Sequence, residues 1–79
     1  MVSLVEMAVG ESGIIKELKG GFGLNQKLEN MGLRIGTKVK KINKPWRKGP
    51  VVVQSGNSQL ALGYGISQKI MLEVQKDQS

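Results

Sequence analysis

The stretch Lys19–Lys38, KGGFGLNQKLENMGLRIGTK, sets five glycines against four Lys/Arg side chains in twenty positions. Two readings compete for it: a phosphate-cradling loop, or glycines that bend the chain around a short helix. A P-loop requires a strand, then Gly-x-x-x-x-Gly-Lys-Ser/Thr, then a helix that presents its N-terminus to phosphate. No Gly-Lys-Ser/Thr occurs anywhere in the chain, and Gly36-Thr37-Lys38 has the order reversed. A dinucleotide fingerprint fails too, because Gln26 stands where its third glycine belongs. The helical reading remains. Leu24, Leu28 and Met31 recur at i, i+4 and i+7, the apolar stripe of one amphipathic helix over Leu24–Met31. Gly32 follows where a left-handed C′ residue stops such a helix, and Leu33 stands at C″, placed to meet Leu28. Leu24, Leu28 and Leu33 are therefore expected in the core, and Gly32 and Gly36 at backbone angles that favour glycine.

Outward from this helix the chain reads as strands. SGIIKEL (Ser12–Leu18) is short, β-branched and bounded by glycines. TKVKKIN reads as a strand in which Val39 and Ile42 differ in parity, so a bulge near Lys40–Lys41 is expected if both face inward. KPWRKGP is a turn with a proline near each end, and PVVVQS is the next strand. Ser55-Gly56-Asn57-Ser58 is a tight hairpin signal, and QLALG returns as the partner strand. YGISQK reads as a helical turn, and KIMLEVQ alternates Ile70, Leu72 and Val74 as a closing strand that pairs with the beginning of the chain. Residues 75–79 read as a frayed tail. The pattern predicts one mainly β domain over residues 1–79: a small, partly open SH3-like barrel of about five strands, with a short helix inserted after the first.

Composition narrows the chemistry. The 79 residues contain no cysteine and no histidine, so neither a disulfide framework nor a Cys/His zinc site is available, and an aliphatic core must hold the fold. Without a histidine base or a cysteine nucleophile, and with six scattered acids of which only Glu6 and Glu11 are near one another, catalysis is not expected. Fe(II) favours sites that include imidazole or thiolate. Carboxylates, amides and thioethers supply at most a weak surface metal site, and no cofactor is expected. No apolar run approaches the roughly 20 residues of a membrane span, and the start lacks a secretory signal, which points to the cytoplasm. The formal charge is +6, and Lys38, Lys40, Lys41, Lys44, Arg47 and Lys48 lie in an acid-free run. Such a run reads either as a solvated strand face and loop or as a surface for a neutral or acidic partner. Nucleic acid is the less favoured partner, because stacking platforms interleave several aromatics and this run has only Trp46.

The ordered set GGFGLNQKLENMGLRIGTKVKKI, KGPVVVQSGNSQLAL and GISQKIMLE closely resembles the FeoA family, small cytoplasmic components of bacterial ferrous iron transport. The matching positions are Leu24, Leu28, Met31-Gly32-Leu33, Gly36-Thr37, Val39, Gly49-Pro50, Ala61-Leu62, Ser67 in place of the usual Ala, Ile70 and Leu72-Glu73. The resemblance implies an SH3-like barrel, the fold also seen in the C-terminal domain of iron-dependent repressors. It implies no catalytic activity, and action beside FeoB, a membrane transporter with a cytoplasmic G-protein domain. A nucleic-acid-binding or repressor-type regulatory domain is the alternative. Two departures stand out: Lys41 replaces a second aliphatic, and Pro45-Trp46-Arg47-Lys48-Gly49-Pro50 replaces the family's common Ala-Pro-aromatic-Gly-Gly-Pro. Both are expected to add charge or bulk to one edge. Trp46, Arg47 and Lys48 are the expected partner-binding residues, with Lys27 and Arg34 as rim charges and Met31 on the helix as a further contact.

Overall fold

The computed structural model describes residues 1–76. Its strands are β1 (Val2–Ser3), β2 (Ser12–Leu18), β3 (Lys38–Lys41), β4 (Val51–Ser55), β5 (Ser58–Leu62) and β6 (Ile70–Gln75). Helix α1 (Gly21–Asn30) follows β2, the four-residue α2 (Tyr64–Ser67) precedes β6, and a 3-10 turn occupies Leu4–Glu6. All strand pairs are antiparallel, in one sheet of order β1-β6-β2-β3-β4-β5. The closing strand does pair with the beginning of the chain, lying between β1 and β2. The sixth strand is β1, joined to β6 through Val2↔Leu72 and Ser3↔Met71, and two residues are too few to show a period. Because β6 continues through Gln75, ordered structure reaches into the expected tail, and residues 77–79 of that tail lie outside the described residues.

Alternation along the strands fills one face. Ile15, Val39, Val51, Val53, Leu62, Ile70 and Leu72 are buried, and Leu4, Met7, Leu28 and Leu33 close over them. No aromatic ring belongs to this buried cluster. Burial of a Val, Leu or Ile side chain is worth about 1.5–3 kcal/mol, so these aliphatics carry the fold.

The helix begins three residues before the expected Leu24 and its last residue is Asn30, with Met31 at the C-cap. Its first turn carries glycines and the exposed Phe22, so the apolar stripe starts a turn late. Asn25 ties that turn to β2: its Nδ2 donates to the Leu18 carbonyl (3.0 Å), and its Oδ1 accepts the Gly20 N–H (3.1 Å). At the other end Gly32 has φ +88° and donates to the Glu29 carbonyl (3.0 Å), while the Leu33 N–H reaches the Leu28 carbonyl (2.9 Å). Those two bonds, with Leu28 and Leu33 both in the core, make a Schellman motif. Gly36, at φ +93°, then donates to the Ile15 carbonyl (2.7 Å) and brings the chain back onto β2. The glycines bend backbone.

The bulge expected near Lys40–Lys41 does not form. β3 alternates regularly with Val39 and Lys41 inward, and Ile42 lies past its end, half-buried. The register shift falls instead in β2, between Ile15 and Glu17 against β6. At the β4–β5 hairpin Ser55 pairs with Ser58, and Gly56 has φ +59° while Asn57 has no positive φ, the pattern of a type II′ turn.

Candidate interaction surface

The segment after β3 is clamped at its base by one side chain. Asn43 Oδ1 accepts the Val52 N–H (2.8 Å), and its Nδ2 donates to the Pro50 carbonyl (3.2 Å). Both bonds fix the loop where it leaves and rejoins the sheet. At its tip the Gly49 N–H donates to the Trp46 carbonyl (2.9 Å), closing a four-residue turn. Arg47 (φ 49°) and Lys48 (φ 58°), its central residues, are both left-handed, which makes a type I′ turn. Such turns favour Asn-Gly because other side chains in this region are strained by about 1–2 kcal/mol each. Trp46 is 78% exposed, and the Arg47 guanidinium carbon lies 5.2 Å from its ring centroid. A cation–π pair of this kind contributes about 0.5–1 kcal/mol at an exposed site. The tip therefore offers solvent a flat apolar ring backed by a cation.

The other expected contact residues do not join this group. Lys27 and Arg34 are exposed, and Met31 is 37% exposed, all at the C-terminal end of α1 and the turn after it. The Arg34 Nε donates to the Glu29 carbonyl (3.3 Å), so this cation completes the helix end. The helix turn feeds the start of β3 and the Trp46 loop leaves its end, so a strand of four residues, ~13 Å long at 3.3 Å per residue, separates the two groups. Four residues after Met31 the chain exposes Ile35 (56%), a residue the helical stripe gave no reason to single out. Of the motif residues, Leu28, Leu33 and Leu62 are buried, Leu24 is half-buried against the core, and Ala61 faces outward. Ser67, in place of the family's usual alanine, is fully buried, and its hydroxyl donates to the Gly63 carbonyl (2.9 Å).

Lys41 corrects the sequence reading most. It adds no charge to an exposed edge. Only 3% of its surface is exposed, and its Nζ donates to the carbonyls of Val5 (2.8 Å) and Met7 (2.7 Å). The stem takes an aliphatic's place in the inward row of β3, and the ammonium satisfies two carbonyls at the end of the 3-10 turn. Burial pushes its pKa below the usual 10.5, and the Glu11 carboxylate partly opposes that shift. Period-two alternation, with Val39 and Lys41 on one side and Lys38 and Lys40 on the other, was the available signal.

The two acids that are near in sequence serve separate turns. Glu6 Oε1 accepts the Ser3 N–H (2.8 Å), which holds its carboxyl below its usual pKa, and Glu11 Oε1 accepts the Ala8 N–H (2.7 Å). Among the described residues no group of three or more His, Cys, Asp or Glu is placed to hold a metal ion. None of their helices is long and apolar enough to cross a membrane.

Comparison with known proteins agrees with this architecture. Residues 2–74 match the model of the FeoA domain. A curated protein of Methanocaldococcus jannaschii, provisionally named Fe(2+) transport protein A, is 41% identical over 64 residues, which is 81% of this chain and 76% of that one. The crystal structure of an iron uptake regulatory protein (FeoA) superposes with a TM-score of 0.82 at 31% identity, covering 94% of this chain and 96% of the other. The zinc-complexed FeoA of Stenotrophomonas maltophilia, described as an SH3 domain protein, superposes with a TM-score of 0.73 at 19% identity over 92% of this chain and 91% of the other, and supports the fold.

Proposed function

The chain belongs to the FeoA family, and from that premise we propose that it is a non-catalytic cytoplasmic accessory protein of ferrous iron uptake. It acts by binding the cytoplasmic G-protein domain of the membrane transporter FeoB. The relatives' names supply the iron-transport setting. The observation that carries the mode of action is Trp46, 78% exposed at the tip of a clamped loop with Arg47 stacked on it. A rigid, exposed Trp beside a cation buries large apolar area on a partner at little entropic cost, and Trp and Arg dominate such hot spots.

The test is calorimetric titration against the isolated FeoB cytoplasmic domain. Trp46→Ala is expected to weaken binding by about 1–3 kcal/mol with the melt unchanged, because the ring contributes nothing to the core. Lys48→Glu should act mainly on the association rate and its salt dependence. Unaltered affinity in a folded Trp46→Ala protein would remove this loop from the interface and point to the exposed Met31 and Ile35 at the helix end.

A further inference from the structure

Behind the loop that presents Trp46 lies a cavity of about 430 Å³, bounded by the Val5–Val9 segment, the end of β3, residues 44–48 and the start of α2. Lys41, Lys44 and Lys48 all line it, and no Asp or Glu does. The rest of the wall is largely apolar, with Val9, Pro45 and Tyr64 among its residues. We propose that this cavity binds an acidic peptide segment of a protein partner, taking one carboxylate onto the three lysines and an adjacent apolar side chain onto the wall.

Three observations carry the assignment. First, the wall carries three lysines and no acid, so its own charge is positive, and the nearest carboxylate, Glu11, reaches it only through the Ala8 N–H and its attraction for Lys41. Second, the innermost ammonium is fixed in advance. Lys41 spends two of its three N–H donors on the Val5 and Met7 carbonyls, which leaves one for a ligand and holds the side chain in a single place. Third, Lys48 reaches the wall from a left-handed backbone position that no glycine relieves, and Asn43 clamps the loop that holds it there. Strain of this kind persists where the surroundings over-determine a residue, often at a ligand clamp.

The wall decides between anions. A phosphate or nucleotide group wants donors on several sides, typically successive backbone N–H groups. Here the backbone groups engaged at the inner end are carbonyls, and the remaining surface is apolar. A carboxylate on a peptide, flanked by an aliphatic residue, matches both parts. The proposal rests on the preceding reading only for the identity of the partner, since the cavity belongs to this chain alone.

The probe is a synthetic acetylated, amidated peptide alternating Leu and Glu, titrated into the isotope-labelled protein and followed by backbone amide NMR. Shifts are expected at Ala8, Val9, Lys44 and Tyr64, and none with the same peptide carrying Gln in place of Glu. Lys41→Met should weaken binding about tenfold, as should the double variant Lys44→Gln/Lys48→Gln. The double variant changes only exposed side chains, so it keeps the test valid if Lys41→Met fails to fold. Equal shifts with the Gln peptide, or shifts at these amides with inorganic phosphate or GTP but not with the Glu peptide, would overturn the proposal. Peptide binding without any affinity for the FeoB domain would uphold the cavity and overturn the choice of partner. The reverse pattern, FeoB binding untouched by the double variant while the peptide is lost, would overturn the cavity's part in that complex.

Discussion

Gly32 carries the passage from helix to sheet. With φ +88° and open space where a Cβ would stand, the position requires glycine for its backbone angle and not for packing. Gly32→Ala is expected to cost about 1 kcal/mol, which lowers the melting temperature of a domain this size by about 4–8 °C. A variant that melts with the wild type would remove the left-handed cap. This residue was legible in the sequence because a helix stripe, a glycine and a leucine at C″ name one motif between them. Lys41 was not legible as buried, because a lysine inside a basic run reads as solvated. Only pairing with the Val5 and Met7 carbonyls, 36 and 34 positions away, makes its burial tolerable.

At the scale of elements, strands bounded by glycine, proline or a hairpin signal were read to within about two residues at either end. The β2 bulge was missed, since it depends on pairing with β6, which local pattern does not contain. The Trp46–Gly49 turn was expected as a turn, but its type was not, because Arg and Lys are poor residues for its central positions. That mismatch makes a prediction. Replacing the pair with Arg47→Asn and Lys48→Gly relieves two left-handed side chains at the loss of one exposed cation–π contact. Stability measured from urea midpoints should rise by about 1 kcal/mol. A fall would show that the tip is held by contacts stronger than its backbone strain.

For the whole molecule, Lys41 fastens the N-terminal segment to the sheet, and the state of its amine enters the stability of the entire fold. Its pKa is depressed below 10.5 by burial, so between the folded value and 10.5 the unfolded chain binds more protons. The stability it contributes is therefore fully present above 10.5 and is lost as pH falls through the folded pKa. A neutral amine keeps two N–H donors, enough for both carbonyls, so raising the pH does not break the fastening. Urea denaturation of wild type and Lys41→Met should show the stability difference shifting towards wild type as pH rises to 10.5. A flat difference across that window would mean that the ammonium suffers no penalty from burial. The sheet order adds a consequence of a different kind. β6 comes last among the strands of the described residues, yet it lies inside the sheet and supplies the fully buried Ile70 and Leu72. A ribosome adding roughly 5–20 residues per second delivers everything before β6 within seconds. Throughout that time β2 has an open edge and the core lacks one wall. The sheet is complete only once Gln75 has cleared the exit tunnel, and until then the nascent chain presents an unpaired strand edge to its neighbours.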